Sequence, residues 1–237
     1  HTIIGSDTER GLLLNAADCL LRLRQEHGFS LAFTAFEIYN EKVNDLLTPR
    51  KGSRVLSSVD TNKRHGGYVP EIDALAQCAF ADSYAFKELF DLAQSAKKIG
   101  ETRLNAKSSR SHCVYKFALT CASRAPTHLY LIDLAGVERS KNNESGKHAP
   151  MLMAETCSIN LSLTTLSRCF AALRDGSMIP YRESKLTKLL FDNMAREMSI
   201  SVIINFNAAH ACFEDNLRVL EFAAIAKDIR SELIERN

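Results

Sequence analysis

Asp133 and Gly136 close an apolar run, Leu129-Tyr130-Leu131-Ile132-Asp133-Leu134-Ala135-Gly136-Val137-Glu138-Arg139, and their types and spacing suit phosphate chemistry. An aspartate at the end of a buried strand can hold Mg²⁺ through water. A glycine amide three residues on can approach a terminal phosphate with no side chain in the way. Ligands of open α/β sheets sit just beyond the carboxyl ends of the strands, which would set Asp133 before a bound ligand. The same residues also serve plain turn chemistry.

A second segment is richer. Asn105-Ala106-Lys107-Ser108-Ser109-Arg110-Ser111-His112 packs three hydroxyls, an amide and a guanidinium into eight residues, directly before the strand-like Cys113-Val114-Tyr115-Lys116-Phe117. Serine hydroxyls are hard oxygen ligands for Mg²⁺ and can hydrogen-bond a phosphate or an attacking water. Arg110 has a candidate partner in Glu138, and a bidentate Arg–carboxylate pair could latch the two loops over a nucleotide. A polar surface loop full of caps and turns would use the same residue types.

The elements around these segments alternate as an α/β fold requires. Leu12, Leu13, Ala16, Cys19, Leu20 and Leu23 recur at helical spacing after Gly11. Phe29 to Tyr39 reads as a strand that Glu41-Lys42 turns back toward Val43 to Leu47, and the polar stretch from Thr48 to Gly67 reads as an exposed loop. Asp82 is placed to cap a helix with the stripe Ala85, Phe86, Leu89, Phe90 and Ala93, which Gly100 is placed to stop. Leu163, Leu166, Cys169, Phe170 and Leu173 make another stripe, Ile200 to Phe206 reads as a buried strand, and a last helix carries Leu220, Ala223, Ala224, Ala226 and Ile229. No repeat, low-complexity segment or second-domain boundary is visible.

Composition narrows the functional classes. At 237 residues, with 46% hydrophobic and 24% charged content, the chain suits one globular domain with a sizeable core. A net charge of +2 is too small for global attraction to nucleic acid, so an acidic partner must be met by a local patch. Seven cysteines, at 19, 78, 113, 121, 157, 169 and 212, form no Cys-x-x-Cys pair. They suggest reduced thiols in core positions rather than disulfides or a zinc site. No apolar run reaches membrane-spanning length and no signal-peptide pattern opens the chain. The expectation is a soluble cytoplasmic protein without membrane or nucleic-acid partners.

The two phosphate-suited segments together resemble the nucleotide-sensing switches of the kinesin motor domain, and other stretches resemble that family in order. Phe36 to Leu47 is similar to its strand-turn-strand element, Ser158 to Leu166 to its relay helix, Ile179 to Leu190 to its tubulin-facing loop and helix, and Glu221 to Ala224 to its last motor helix. The match covers His1 to about Arg230. It implies an α/β, P-loop NTPase-like three-layer sandwich with a mixed, mostly parallel central sheet and helices on both faces, incomplete here. It implies ATP and Mg²⁺ as cofactors and microtubules (tubulin) as partner, with dimerisation through regions not present, at the cytoskeleton and its spindle. Carried over by position, catalytic roles fall to Asn105, Ser108, Ser109, Arg110, Gly136 and Glu138, cofactor contacts to Ser109, Asp133 and Gly136, and Mg²⁺ to Ser109 and Asp133, partly through water. Arg182, Lys185 and Lys188 recur every third residue, putting three cations on one side of a helix start, and Lys141 and Lys147 add to the track-binding face.

The chain departs from the family at several points. No Gly-x-x-x-x-Gly-Lys-[Ser/Thr] is present to cradle the β- and γ-phosphates; the one Gly-Lys pair, Gly146-Lys147, is followed by His148. In the family, residues like His1 to Gly5 follow directly after that loop. Residues 1–237 therefore read as a partial motor domain lacking its amino-terminal strands and phosphate loop, inactive as a fragment, and a motor-like microtubule-binding module without ATPase activity is the alternative. A GTPase reading fails for want of Asn-Lys-x-Asp. Val137, Ser167 and Ala195-Arg196 stand where the family usually has Ser, Gly and paired Gly. Thr102 to Asn105, Thr165 to Cys169 and Asp215 to Leu217 resemble the mitotic class of the spindle midzone and cytokinesis, whose long insertion is not visible here.

Overall fold

The computed structural model describes residues 2–6, 8–48, 75–103, 111–136, 149–192, 200–206, 209 and 213–235. The chain divides into two compact units, His1–Ala135 and Gly136–Asn237.

The first unit is built on an antiparallel sheet. β1 (Ser30–Tyr39) reverses at Asn40 and Glu41, whose φ values of 49° and 56° give a two-residue hairpin the left-handed pair it needs. β2 (Lys42–Asp45) returns along β1 with Ile38 opposite Val43. On the other side of β1 lies β4 (His112–Cys121), in register from Ser30↔Thr120 to Ile38↔His112. β5 (Arg124–Asp133) follows through the turn at Ala122-Ser123 and pairs back from Arg124 to Asp133. The register shift between Leu119 and Cys121 gives Pro126, which has no N–H to offer, a place in a bulge. β3 (Cys78–Ala79) adds a short pairing to Ala32 and Phe33, and the order is β2-β1-β4-β5.

Every strand pair among the described residues is antiparallel, which corrects the expectation of a mostly parallel sheet. The reason is connectivity. β1–β2 and β4–β5 are joined by two-residue turns, which reverse a strand but cannot carry the chain back for a parallel return.

Strand alternation sorts the core. Leu31, Phe33 and Ala35 of β1 and Cys113, Tyr115 and Phe117 of β4 share one face, against α1 (Leu12–His27) and α2 (Ser83–Arg103). The helices bring Leu13, Ala17, Leu20 and Leu21, then Phe86, Phe90 and Ala93. Phe33 is the hub: its ring lies 5.1 Å from Phe86, edge-on, and 5.2 Å from Phe117. α1 starts unusually, with the Leu12 and Leu13 amides donating to the Thr2 and Ile3 carbonyls at 3.0 Å. It stops at Gly28, whose φ of 69° lets its amide close on Arg24 O at 2.9 Å. Asp82 caps α2 as expected, its Oδ1 accepting the Ala85 amide at 2.8 Å. Gly100 does not stop α2, which runs on to Arg103; a helical glycine costs only about 1 kcal/mol, too little to end a helix by itself.

The second unit is helical. α3 (Ala149–Asp175) buries Leu166, Cys169 and Phe170, with Leu163 and Leu173 half-buried, close to the expected stripe. A 3-10 turn (Tyr181–Glu183) leads into α4 (Lys185–Asp192), and α5 (Phe213–Glu235) packs on α3 with Phe222 5.6 Å from Phe170. The α5 face differs from the expected one, since Leu220 is 50% exposed and Phe222 makes the packing contact. Ile200 to Phe206 is not a strand, and Val202, Ile203 and Phe206 are exposed; an apolar run becomes a strand only where a ladder partner takes its backbone groups. The described cysteines are free, as expected of thiols, but only Cys113 and Cys169 are buried, while Cys19 and Cys157 are exposed. No described helix is long and apolar enough to cross a membrane.

Candidate functional site

Asp133 is the last residue of β5, opposite Cys113 of β4, and its carboxylate is 48% exposed. Lys97 of α2 reaches toward it, Nζ standing 3.9 Å from Oδ2, although the lysine side chain is only 12% exposed. At that distance, with the carboxylate half in water, the pair is a modest one. Sequence reasoning missed Lys97. Its signal was a cation continuing the buried stripe Phe86, Phe90 and Ala93 by one more turn, where an apolar residue would ordinarily stand. Burial raises the Cys113 thiol above its ordinary range while Lys97 pulls the other way, and burial also raises the Tyr115 phenol, whose oxygen accepts from Gln94 Nε2 at 3.5 Å. Both groups stay protonated near neutral pH, and they are structural neighbours of the site rather than nucleophiles.

His112 begins β4 and is 3% exposed. Its Nδ1 accepts the backbone N–H of Ala135 at 3.0 Å. Burial lowers the imidazole pKa to about 4, so the ring is neutral, with its proton on Nε2. This hydrogen bond joins the first residue of β4 to the residue directly before Gly136. The sequence placed His112 within the serine-rich segment and assigned it no role.

Of the expected site residues, Asp133, Gly136, Arg182, Lys185 and Lys188 are described. Asn105, Ser108, Ser109, Arg110, Glu138, Lys141 and Lys147 lie outside the described residues, as do Val137 and Ala195-Arg196. Asp133 offers one hard oxygen donor at a half-exposed strand end. That fits a Mg²⁺ ion, which keeps most of its waters and takes one or two protein oxygens. Among the described residues no group of three or more His, Cys, Asp or Glu side chains could form an all-protein metal cage.

The basic segment is arranged differently from a single helical stripe. Arg182 lies in the 3-10 turn, exposed, with its guanidinium 5.5 Å from the centre of the Tyr181 ring. Ser184 is extended (φ −141°, ψ 155°) and breaks the helix, so only Lys185 and Lys188 share α4, both half-buried. The break has its own support. Ser184 Oγ accepts the Thr187 amide at 3.2 Å as an N-cap, and Thr187 Oγ1 donates to Tyr181 O at 2.7 Å. Leu186 and Leu189 anchor the other face, and Glu183 pairs with Arg168 of α3.

The kinesin motor domain family matches residues 1–229. Kinesin-like protein KIF22 of Danio rerio is 34% identical over 244 residues, covering 97% of this chain and 37% of the relative. KIF22 of Mus musculus is 33% identical, covering 97% and 36%. Kinesin-like protein KIF13B of Homo sapiens is 32% identical, covering 97% and 13%. The chain thus spans about a third of the length of its KIF22 relatives, and less of KIF13B. With the family matched over nearly every residue, and with relatives above 30% identity along the same span, the chain belongs to the kinesin motor domain family.

Proposed function

We propose that residues 1–237 form part of a motor head that couples ATP hydrolysis to binding and movement along microtubules. The observation that carries the reading is the His112–Ala135 hydrogen bond, which ties the first residue of β4 to the stretch between Asp133 and Gly136, within a chain of kinesin membership. Asp133 and Ser109 would hold Mg²⁺, Asp133 through water, and Asn105 and Ser108 would contact phosphate or the lytic water. The Gly136 amide would meet the terminal phosphate. Arg110 and Glu138 would latch the two loops when nucleotide fills the gap, placing that water for attack. Bound Mg²⁺ supplies neutralisation of charge on the phosphate oxygens. Lys141, Lys147, Arg182, Lys185 and Lys188 would meet the acidic track, and the cytoskeleton, including the spindle, would be the place of work.

A second reading, a microtubule-binding module without ATPase activity, draws on two features: residues 1–237 hold no phosphate-cradling loop, and Val137 removes a hydroxyl from the phosphate side. Phosphate release by the full-length protein, with and without microtubules, separates the two. The motor reading expects turnover that rises with microtubule concentration, and weaker co-sedimentation in ADP than in a non-hydrolysable ATP analogue. Co-sedimentation indifferent to nucleotide, with no phosphate released, establishes the second reading.

A further inference from the structure

We propose that His112 is a positioning residue for the hydrolytic step, holding the Leu134–Ala135 peptide by accepting the Ala135 N–H at Nδ1. The assignment rests on the motor reading above and adds to it a residue that touches neither phosphate nor Mg²⁺.

The N–H of Gly136, proposed to meet the terminal phosphate, lies in the Ala135–Gly136 peptide plane, so its direction is set by the backbone of Ala135. Ala135 is 3% exposed and its own N–H is fixed at 3.0 Å on His112 Nδ1. Fixing that N–H fixes the Leu134–Ala135 peptide plane, from which the φ and ψ of the buried Ala135 alone lead to the Gly136 N–H. The imidazole is in turn held by its strand. His112 lies opposite Ile38 in the β1–β4 register, is almost wholly buried, and opens the strand that follows Arg110-Ser111 directly. Burial keeps the ring neutral, which leaves the Nδ1 lone pair available.

What the position requires is an acceptor one bond beyond Cγ, where Nδ1 sits. Asn places its Oδ1 close to that point; Gln carries the same amide one methylene further out; Leu fills the space and accepts nothing. The full-length protein with His112→Asn, His112→Gln and His112→Leu is compared with the parent for microtubule-stimulated kcat and for the KM of ATP. Amide exchange of the Leu134–Gly136 segment is followed alongside. Gln and Leu should lower kcat by about tenfold, the worth of one lost hydrogen bond in the transition state, with KM moved by less than about threefold. Asn should recover most of that kcat and should keep the Ala135 amide protected, whereas Gln should release it. A purely structural role would order the three variants by their melting temperatures instead.

Should Leu fail to fold, the Asn and Gln pair still decides. Equal kcat and equal Ala135 exchange in Asn and Gln overturn the assignment while leaving the motor reading intact. A parent that binds microtubules and releases no phosphate overturns the motor reading, and the positioning role falls with it.

Discussion

His112 carries a thermodynamic signature apart from any role in turnover. Its folded pKa is pushed down to about 4 by burial, against 6.5 for an ordinary imidazole. Between those values the unfolded chain binds a proton that the folded chain refuses, so stability falls as pH drops through the window and is unaffected above it. The loss should reach about 3 kcal/mol by pH 4, one unit being worth about 1.4. Denaturant titrations at pH 7, 5.5 and 4.5 would measure the slope, and His112→Asn should flatten that part of it. Arg110 and Glu138 give the residue-scale test of the latch. Truncating either to Ala should nearly abolish hydrolysis while nucleotide binding survives, at roughly 3–5 kcal/mol if the pair is buried. Near-normal turnover in either single mutant would remove the latch, and partial recovery in the charge-exchanged double mutant would support a direct pair. Asp133 and Gly136 were legible in the sequence because an apolar run ending in Asp and then Gly is a local pattern. Lys97 and His112 were not, since each matters through a partner 36 or 23 residues away, Asp133 in one case and Ala135 in the other.

At the scale of elements, the sheet depends on one aromatic hub. Phe33 is fully buried among Phe86, Phe117 and Tyr115, so Phe33→Ala should cost about 3–5 kcal/mol, measurable by chemical unfolding. A cost under about 1 kcal/mol would mean that the helices do not pack on this face as described. The basic element makes a different kind of prediction. Replacing Arg182, Lys185 and Lys188 by Ala in the full-length protein should weaken microtubule affinity and flatten its salt dependence, leaving ATPase without microtubules little changed. Unaltered co-sedimentation across a salt series would exclude this segment from the track interface. Helix positions were read well because period 3.6 is written in the side chains, as Leu166, Cys169 and Phe170 demonstrate. Strand direction was read only at the first hairpin, Phe29 to Tyr39 turning back toward Val43 to Leu47; elsewhere an apolar run has the same pattern whichever way it points. The informative signal was the two-residue spacing at Ala122-Ser123, which permits a hairpin and forbids a crossover. Ile200 to Phe206 misled for a related reason, as apolar composition carries no information about a pairing partner.

For the molecule as a whole, residues 1–237 hold neither the glycine-rich phosphate cradle nor its lysine, the main source of triphosphate affinity. Produced alone, this stretch should release no phosphate from ATP above a protein-free control, with or without microtubules; release would show that the affinity comes from elsewhere. The β1–β4 pairing has a consequence in time. Ser30 Oγ donates to Thr120 O across ninety residues of chain, and every rung between these central strands spans a comparable stretch. A ribosome adds roughly 5–20 residues per second, so β1 leaves the exit tunnel on the order of ten seconds before β4 exists to meet it. Early in that interval β1 has α1 behind it and the short β2 along Phe36 to Tyr39, and the edge that β4 will take stays unpaired throughout; a two-stranded sheet is barely stable in water. The nascent chain therefore presents an apolar, half-paired strand during synthesis, and a holdase that binds such strands should crosslink to stalled chains ending before Thr120 and release those extended well beyond Asp133.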